Sequence, residues 1–165
     1  MKRFITLIVL ILINIRICSA TPQIPDLLVI GKDTFYLVSF PLKDLNLNKA
    51  PFNYGGFSFP HTGCWRGYQA TWEIKENKLF LVQIIKVDST KEKLDIVKYL
   101  KENNYSPTVI DGLILADWYS ACFRKFVWWD PIYQNYLEAS QKVLNPKLEI
   151  KKGLVVKNRL THFDK

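Results

Sequence analysis

The sequence predicts an α+β domain: an antiparallel sheet built from successive hairpins, with one or two helices packed on it. Three observations carry that expectation. Tyr68, Ala70, Trp72 and Ile74 alternate with Gln69, Thr71 and Glu73 before a second apolar run, Leu79 to Val87, which is the period-two pattern of a half-buried antiparallel pair. Glycine turns recur between β-branched or aromatic runs, at Gly31, Gly112 and Gly153. Helical spacing, by contrast, is firm in one stretch only, where Leu94, Val97 and Leu100 recur.

The first twenty residues read as a signal peptide. Lys2 and Arg3 precede an apolar run from Phe4 to Ile15, and small residues, Ser19 and Ala20, end the stretch. That run is shorter than the roughly 20 residues needed to span a bilayer, and no later segment approaches that length. The expectation is an exported protein, periplasmic or extracellular, with residues 21–165 forming a single β-rich domain and no transmembrane segment after cleavage. Losing Lys2, Arg3 and Arg16 lowers the net charge from +8 to +5. The remaining basic residues are dispersed along the chain and form no Arg-rich arm, which argues against nucleic acid and leaves anionic envelope surfaces or a simple solvated face. Cys64 and Cys122 survive cleavage, and an oxidising compartment allows them to form a disulfide worth about 4 kcal/mol. Sequence leaves pairing and free thiols equally open.

Element by element, Leu27 to Ile30 and Thr34 to Val38 flank Gly31, Lys32 and Asp33 as a hairpin. Pro41 to Gly63, rich in Asn, Pro and Gly, reads as a long loop of the kind that often carries function. With Glu76 and Asn77 as a two-residue turn, Trp72 falls opposite Leu81, Tyr68 opposite Ile85, Glu73 beside Phe80 and Thr71 beside Val82. One face of that hairpin is apolar and the other mixed, which suits a groove, a barrel lumen or a partly covered edge. Ser89 and Glu92 form a capping box ahead of an amphipathic helix running to Asn103 and Asn104. Leu113 to Ala116 and Trp118 to Trp129 read as strands. Asp130 before Pro131 opens a second, tyrosine-rich helix that Pro146 ends. In the tail, a three-residue loop, Lys151-Lys152-Gly153, puts Leu148, Ile150, Leu154 and Val156 on one face.

Chemistry-bearing groups are sparse. Glu73 and Asp117 offer a carboxylate pair, with His61 as a base, but no spacing brings the two together as a glycosidase requires. His61, Cys64, Cys122 and His162 fit no zinc-finger spacing. Serine-nucleophile, phosphate-loop and metalloprotease signatures are missing from the sequence, so no motif asks for a cofactor or a resident metal. Arg66 reads as a buried tie between loop and sheet, since its five donors can bridge backbone carbonyls. Trp128 and Trp129 are adjacent, so in a strand one of them points away from the core and could stack on a sugar ring.

The segment Gly63-Cys64-Trp65-Arg66-Gly67-Tyr68-Gln69-Ala70-Thr71-Trp72-Glu73-Ile74 resembles a family of small exported bacterial proteins of unknown function. A Leu-Leu-Val-Ile-Gly-Lys-Asp-Thr hairpin near the mature N-terminus, an Ala116-Asp117-Trp118-Tyr119 segment and a late Lys152-Gly153 hairpin complete the likeness. It implies no activity. Gly63-Cys64-Trp65 is also similar to the Gly-x-Trp signature of lipocalin-type barrels, which implies an eight-strand β-barrel as the alternative fold, although here an earlier hairpin precedes it. Two functional expectations follow. The first is a non-catalytic binding domain, an inhibitor or immunity-type protein that engages a protein or glycan in the envelope or outside the cell. The second is a small-ligand carrier or hydrolase using the mixed face of the 68–87 hairpin. The candidate ligand-binding residues are Gln69, Thr71, Glu73, Trp128 and Trp129.

Overall fold

The computed structural model describes residues 23–53, 63–126, 135–140 and 145–160. Within these residues ten strands run in chain order: β1 (Asp26–Ile30), β2 (Asp33–Leu37), β3 (Tyr68–Lys75), β4 (Lys78–Lys86), β5 (Val109–Ile110), β6 (Leu113–Leu115), β7 (Ala121–Lys125), β8 (Tyr136–Ser140), β9 (Leu148–Lys151) and β10 (Leu154–Asn158). Among the described residues a 3-10 turn spans Pro41–Leu45 and one short α-helix, α1, spans Ile96–Glu102.

The sheet is not open. Its order is β10-β9-β7-β8-β2-β1-β3-β4, and β10 pairs again with β4, so eight strands close into a barrel while β6 and β5 extend from β4. This overturns the α+β expectation in favour of the barrel alternative. The strand order is nevertheless no simple up-and-down meander, because β1 runs parallel to β3 and β2 parallel to β8. The hairpins follow from local turn chemistry, whereas these two parallel pairings and the β10–β4 seam join distant segments and leave no local pattern.

Closure gives the barrel an inner and an outer wall. Leu28, Leu37, Trp72, Leu81, Ile84, Phe123, Leu137, Leu148 and Ile150 are buried in one cluster drawn from seven of the eight barrel strands, and Val155 of β10 packs against it. The interior is therefore filled with side chains, as small barrels commonly are. Tyr99 and Leu100 of α1 join the same core.

The hairpin turns are tight. Glu76 and Asn77 both have positive φ, as a two-residue primed turn requires, and Lys75 pairs with Lys78. Trp72 lies opposite Leu81 and Glu73 opposite Phe80, as expected. Beyond them a bulge skips Val82, so Thr71 pairs with Gln83 and Tyr68 with Lys86 instead of with Val82 and Ile85. A bulge of this kind bends and twists a strand, which a closing sheet needs.

Three local expectations are corrected. The helix starts at Asp95, whose carboxylate accepts from the Lys98 amide at 3.0 Å, and not at Ser89; Lys93 forms a bridge with Ile85, which keeps that stretch extended. Tyr136–Ser140, placed in a second helix by the sequence reading, is strand β8, consistent with Leu137 buried between outward-facing Tyr136 and Glu138. The rest of that expected helix, apart from Asn135 and the residues from Asn145 onward, lies outside the described residues. In the tail, Lys152 and Gly153 both have positive φ, and Lys151 pairs directly with Leu154. The turn thus has two residues, which puts Val155 inside and leaves Leu154 and Val156 outside, 48% and 52% exposed.

Candidate functional site

Two features of the barrel concentrate polar groups. The first is buried. Asp26, fully enclosed at the start of β1, accepts from Arg66 Nη2 at 2.8 Å, from the Ala70 amide at 3.1 Å and from Trp72 Nε1 at 3.1 Å. Burial pushes its carboxyl pKa above the ordinary 3.8, and the Arg66 charge only partly offsets that. Arg66 also donates to the Ile24 carbonyl at 2.7 Å, and its guanidinium lies 3.8 Å from the Phe40 ring centre and 5.2 Å from that of Tyr68. Nε and Nη1 of Arg66 are buried without a hydrogen-bond partner among the described residues, and the two aromatic rings beside the guanidinium favour its positive charge. Gln23 and Pro25 are held to the same turn, through the Trp65 amide and Gln69 Nε2. The bonds of this centre tie the 65–72 segment to residues 23–26 at the start of β1, which is the structural role expected of Arg66. Trp65, the tryptophan of the Gly-x-Trp likeness, points outward and is 59% exposed.

The second feature is an open cleft of about 450 Å³, formed where the segment after β2 lies against the start of β7 and the ends of β8 and β9. Ser39, Phe40 and Asp44 make one side. Pro41 fixes the first position of the 3-10 turn, its carbonyl accepts from Trp118 Nε1 at 3.1 Å, and left-handed Asn46 ends the turn. Tyr119, Cys122, Ser140 and Glu149 line the other side. Tyr119 is buried, and burial together with the nearby Asp44 and Asp26 charges pushes its phenol up to about 12, so it stays a neutral donor. Ser120 accepts from the Lys152 amide at 2.8 Å, and Glu149 holds Lys151 at 3.1 Å. Asp44 is exposed and makes no ion pair among the described residues. The cleft thus offers hydroxyls, carboxylates and a thiol over an apolar floor that includes Ala121 and Ile150.

The residues expected from sequence sit elsewhere. Gln69, Thr71 and Glu73 do share one face, the outer wall of β3, where Thr71 neighbours Leu27 and Gln83 and Glu73 neighbours Val29 and Phe80. None of the three lines the cleft. Trp128, Trp129, His61 and His162 lie outside the described residues. Asp117 accepts from the Tyr105 hydroxyl at 2.8 Å and from Thr108 Oγ1 at 2.7 Å, so it is committed to holding a loop. Cys64 is buried and Cys122 half-buried, and both thiols are free; the disulfide left open by the sequence does not form here. Among the described residues no group of three or more His, Cys, Asp or Glu could hold a metal ion. Sequence reasoning missed Asp44, Tyr119 and Glu149, which come from separate segments. The one local hint is a serine at three strand borders, Ser39, Ser120 and Ser140.

No protein-family model, curated protein or solved structure matches this chain.

Proposed function

We propose that the protein is an exported, non-catalytic binding domain that receives a segment of a partner protein in the cleft between the 39–44 turn and strands β7 to β9, in the manner of an inhibitor or immunity-type protein. One observation carries the reading: the cleft is open and keeps Asp44 unpaired at its rim, while the carboxylates at Asp26 and Asp117 are bound into the framework. The filled interior supports it too, since a carrier of the lipocalin kind keeps its lumen for the ligand. A cleft of this volume suits one or two side chains of a docking loop.

The test is an affinity capture by residues 21–165 from envelope and culture fractions, run beside the Ala139→Trp variant, whose indole would occupy the cleft from an exposed position. The expected result is one protein retained in stoichiometric amount by the parent and lost by the variant, with thermal unfolding unchanged. Capture of the same protein by both would reject the cleft as the site.

A further inference from the structure

The sequence scatters its lysines, but the barrel seam gathers several of them. Lys75 pairs with Lys78 across the β3–β4 turn, Lys78 pairs with Leu154 across the seam, and Leu154 pairs with Lys151 across the β9–β10 turn. Directly paired residues project from the same face of a sheet, so these four form one row running across four strands. Leu154 is about half exposed, and so is Val156 two residues further along β10. Lys152 is exposed in the adjoining turn. Lys151 reaches Glu149 at 3.1 Å with most of its side chain still in solvent, while Lys75 and Lys78 make no ion pair among the described residues. The one carboxylate in the β3–β4 turn is that of exposed Glu76.

Two features of this row work against a purely structural role. Like charges directly opposite one another destabilise a sheet, and Lys75 opposite Lys78 is such a pair. Leu154, between Lys78 and Lys151, and exposed Val156 beyond it leave apolar surface in water at the point where the barrel closes. Both costs are recovered on one kind of surface. The geometry points to the seam row as a docking face for an anionic lipid bilayer, with Lys75, Lys78 and Lys151 on the headgroups and Leu154 and Val156 entering the interface. A soluble polyanion would use the lysines and gain nothing from the two apolar side chains, whereas an anionic membrane uses both. This surface is separate from the cleft and does not depend on it.

Co-sedimentation with phosphatidylcholine vesicles, with and without one-third phosphatidylglycerol, tests the assignment. The parent should bind the anionic vesicles only. The Lys75→Gln/Lys78→Gln variant should bind them about 25-fold more weakly, at about fivefold per lysine, and should melt no lower than the parent because a like-charge pair has been removed. Leu154→Ser/Val156→Ser should weaken binding by about tenfold or more and leave the remainder fully sensitive to salt. If the double lysine variant fails to fold, Lys75→Gln alone, at an exposed strand end, should still give the fivefold loss. Equal binding to neutral vesicles, or unchanged binding by the lysine variant, would overturn the proposal. So would a Leu154/Val156 variant that binds like the parent while hexametaphosphate strips both proteins from the vesicles, since that pattern identifies a soluble polyanion as the partner.

Discussion

Gly153 lies so close to Ala116 that a Cβ placed on it would stand 2.8 Å from the Ala116 carbonyl oxygen. The contact is with backbone, which cannot swing aside. In the same turn the Gly153 carbonyl accepts from the Leu79 amide at 2.8 Å, and its own amide donates to the Tyr119 carbonyl at 2.9 Å. One residue without a side chain therefore joins the β9–β10 turn to β4 and to the segment leading into β7, and closes the barrel.

Gly153→Ala should cost about 3 kcal/mol, combining a left-handed φ of 73° with a clash that must move backbone. Gly31→Ala is the control: its φ is 61°, but nothing lies within 4 Å of the added carbon, so about 1 kcal/mol is expected. Urea unfolding of the two variants measures the difference, and equal losses would mean that the seam contact adds nothing.

Asp26→Ala should destabilise the fold by about 3–5 kcal/mol, because Arg66 stays buried without its partner and Trp72 Nε1 and the Ala70 amide lose their acceptor. Trp72→Phe removes one donor to that carboxylate and leaves a small cavity where the indole packed, so a loss of about 2–3 kcal/mol is expected. Chemical denaturation reads both. A loss below 1 kcal/mol in the first variant would show that the centre is dispensable.

The two most perturbed aspartates should respond to acid in opposite directions. Burial raises Asp26, so its stabilising contribution is complete below the ordinary 3.8 and is lost as pH rises through its folded value. Asp88 is held down at about 2, chiefly by the Thr90 hydroxyl, so its contribution is present above 3.8 and lost as pH falls through about 2. Carboxyl-carbon NMR titration should find Asp26 above and Asp88 below the usual range, and Thr90→Val should return Asp88 towards it.

Thiol chemistry should separate the cysteines. Cys122 lines the open cleft, whereas Cys64 is fully enclosed and burial pushes its thiol pKa up. A disulfide-exchange reagent should label Cys122 in the native protein and Cys64 only at the rate of unfolding. Matching rates would contradict the enclosure of Cys64.

How much of this was legible follows from the range of each interaction. The hairpin turns at Gly31, Glu76-Asn77 and Asp111-Gly112 were readable because φ > 0 is a property of two or three residues. The Val82 bulge was not, since it depends on how β4 bends within a closed sheet. The parallel pairing of β1 with β3 and the closure through Leu154 and Lys78 are contacts between distant segments, and a single sequence carries no register for them. The tyrosines of 133–136 supported a helix because Tyr136 and Ser140 stand four residues apart, yet Leu137 buried between half-buried Tyr136 and Glu138 fits a strand equally well. Gln69, Thr71 and Glu73 were correctly placed on one face, but whether that face is a lumen or an outer wall is decided by closure. The cleft was illegible for the same reason: Asp44, Tyr119 and Glu149 meet only after the barrel forms.

Amide hydrogen exchange of the protein, alone and with its captured partner, tests whether recognition occurs at the cleft. Protection confined to Ser39–Asp44, Ser120–Cys122 and Glu149–Lys151 is the predicted result. Protection along Gln69, Thr71 and Glu73, with the cleft unchanged, would contradict it and move the site to the outer wall of β3.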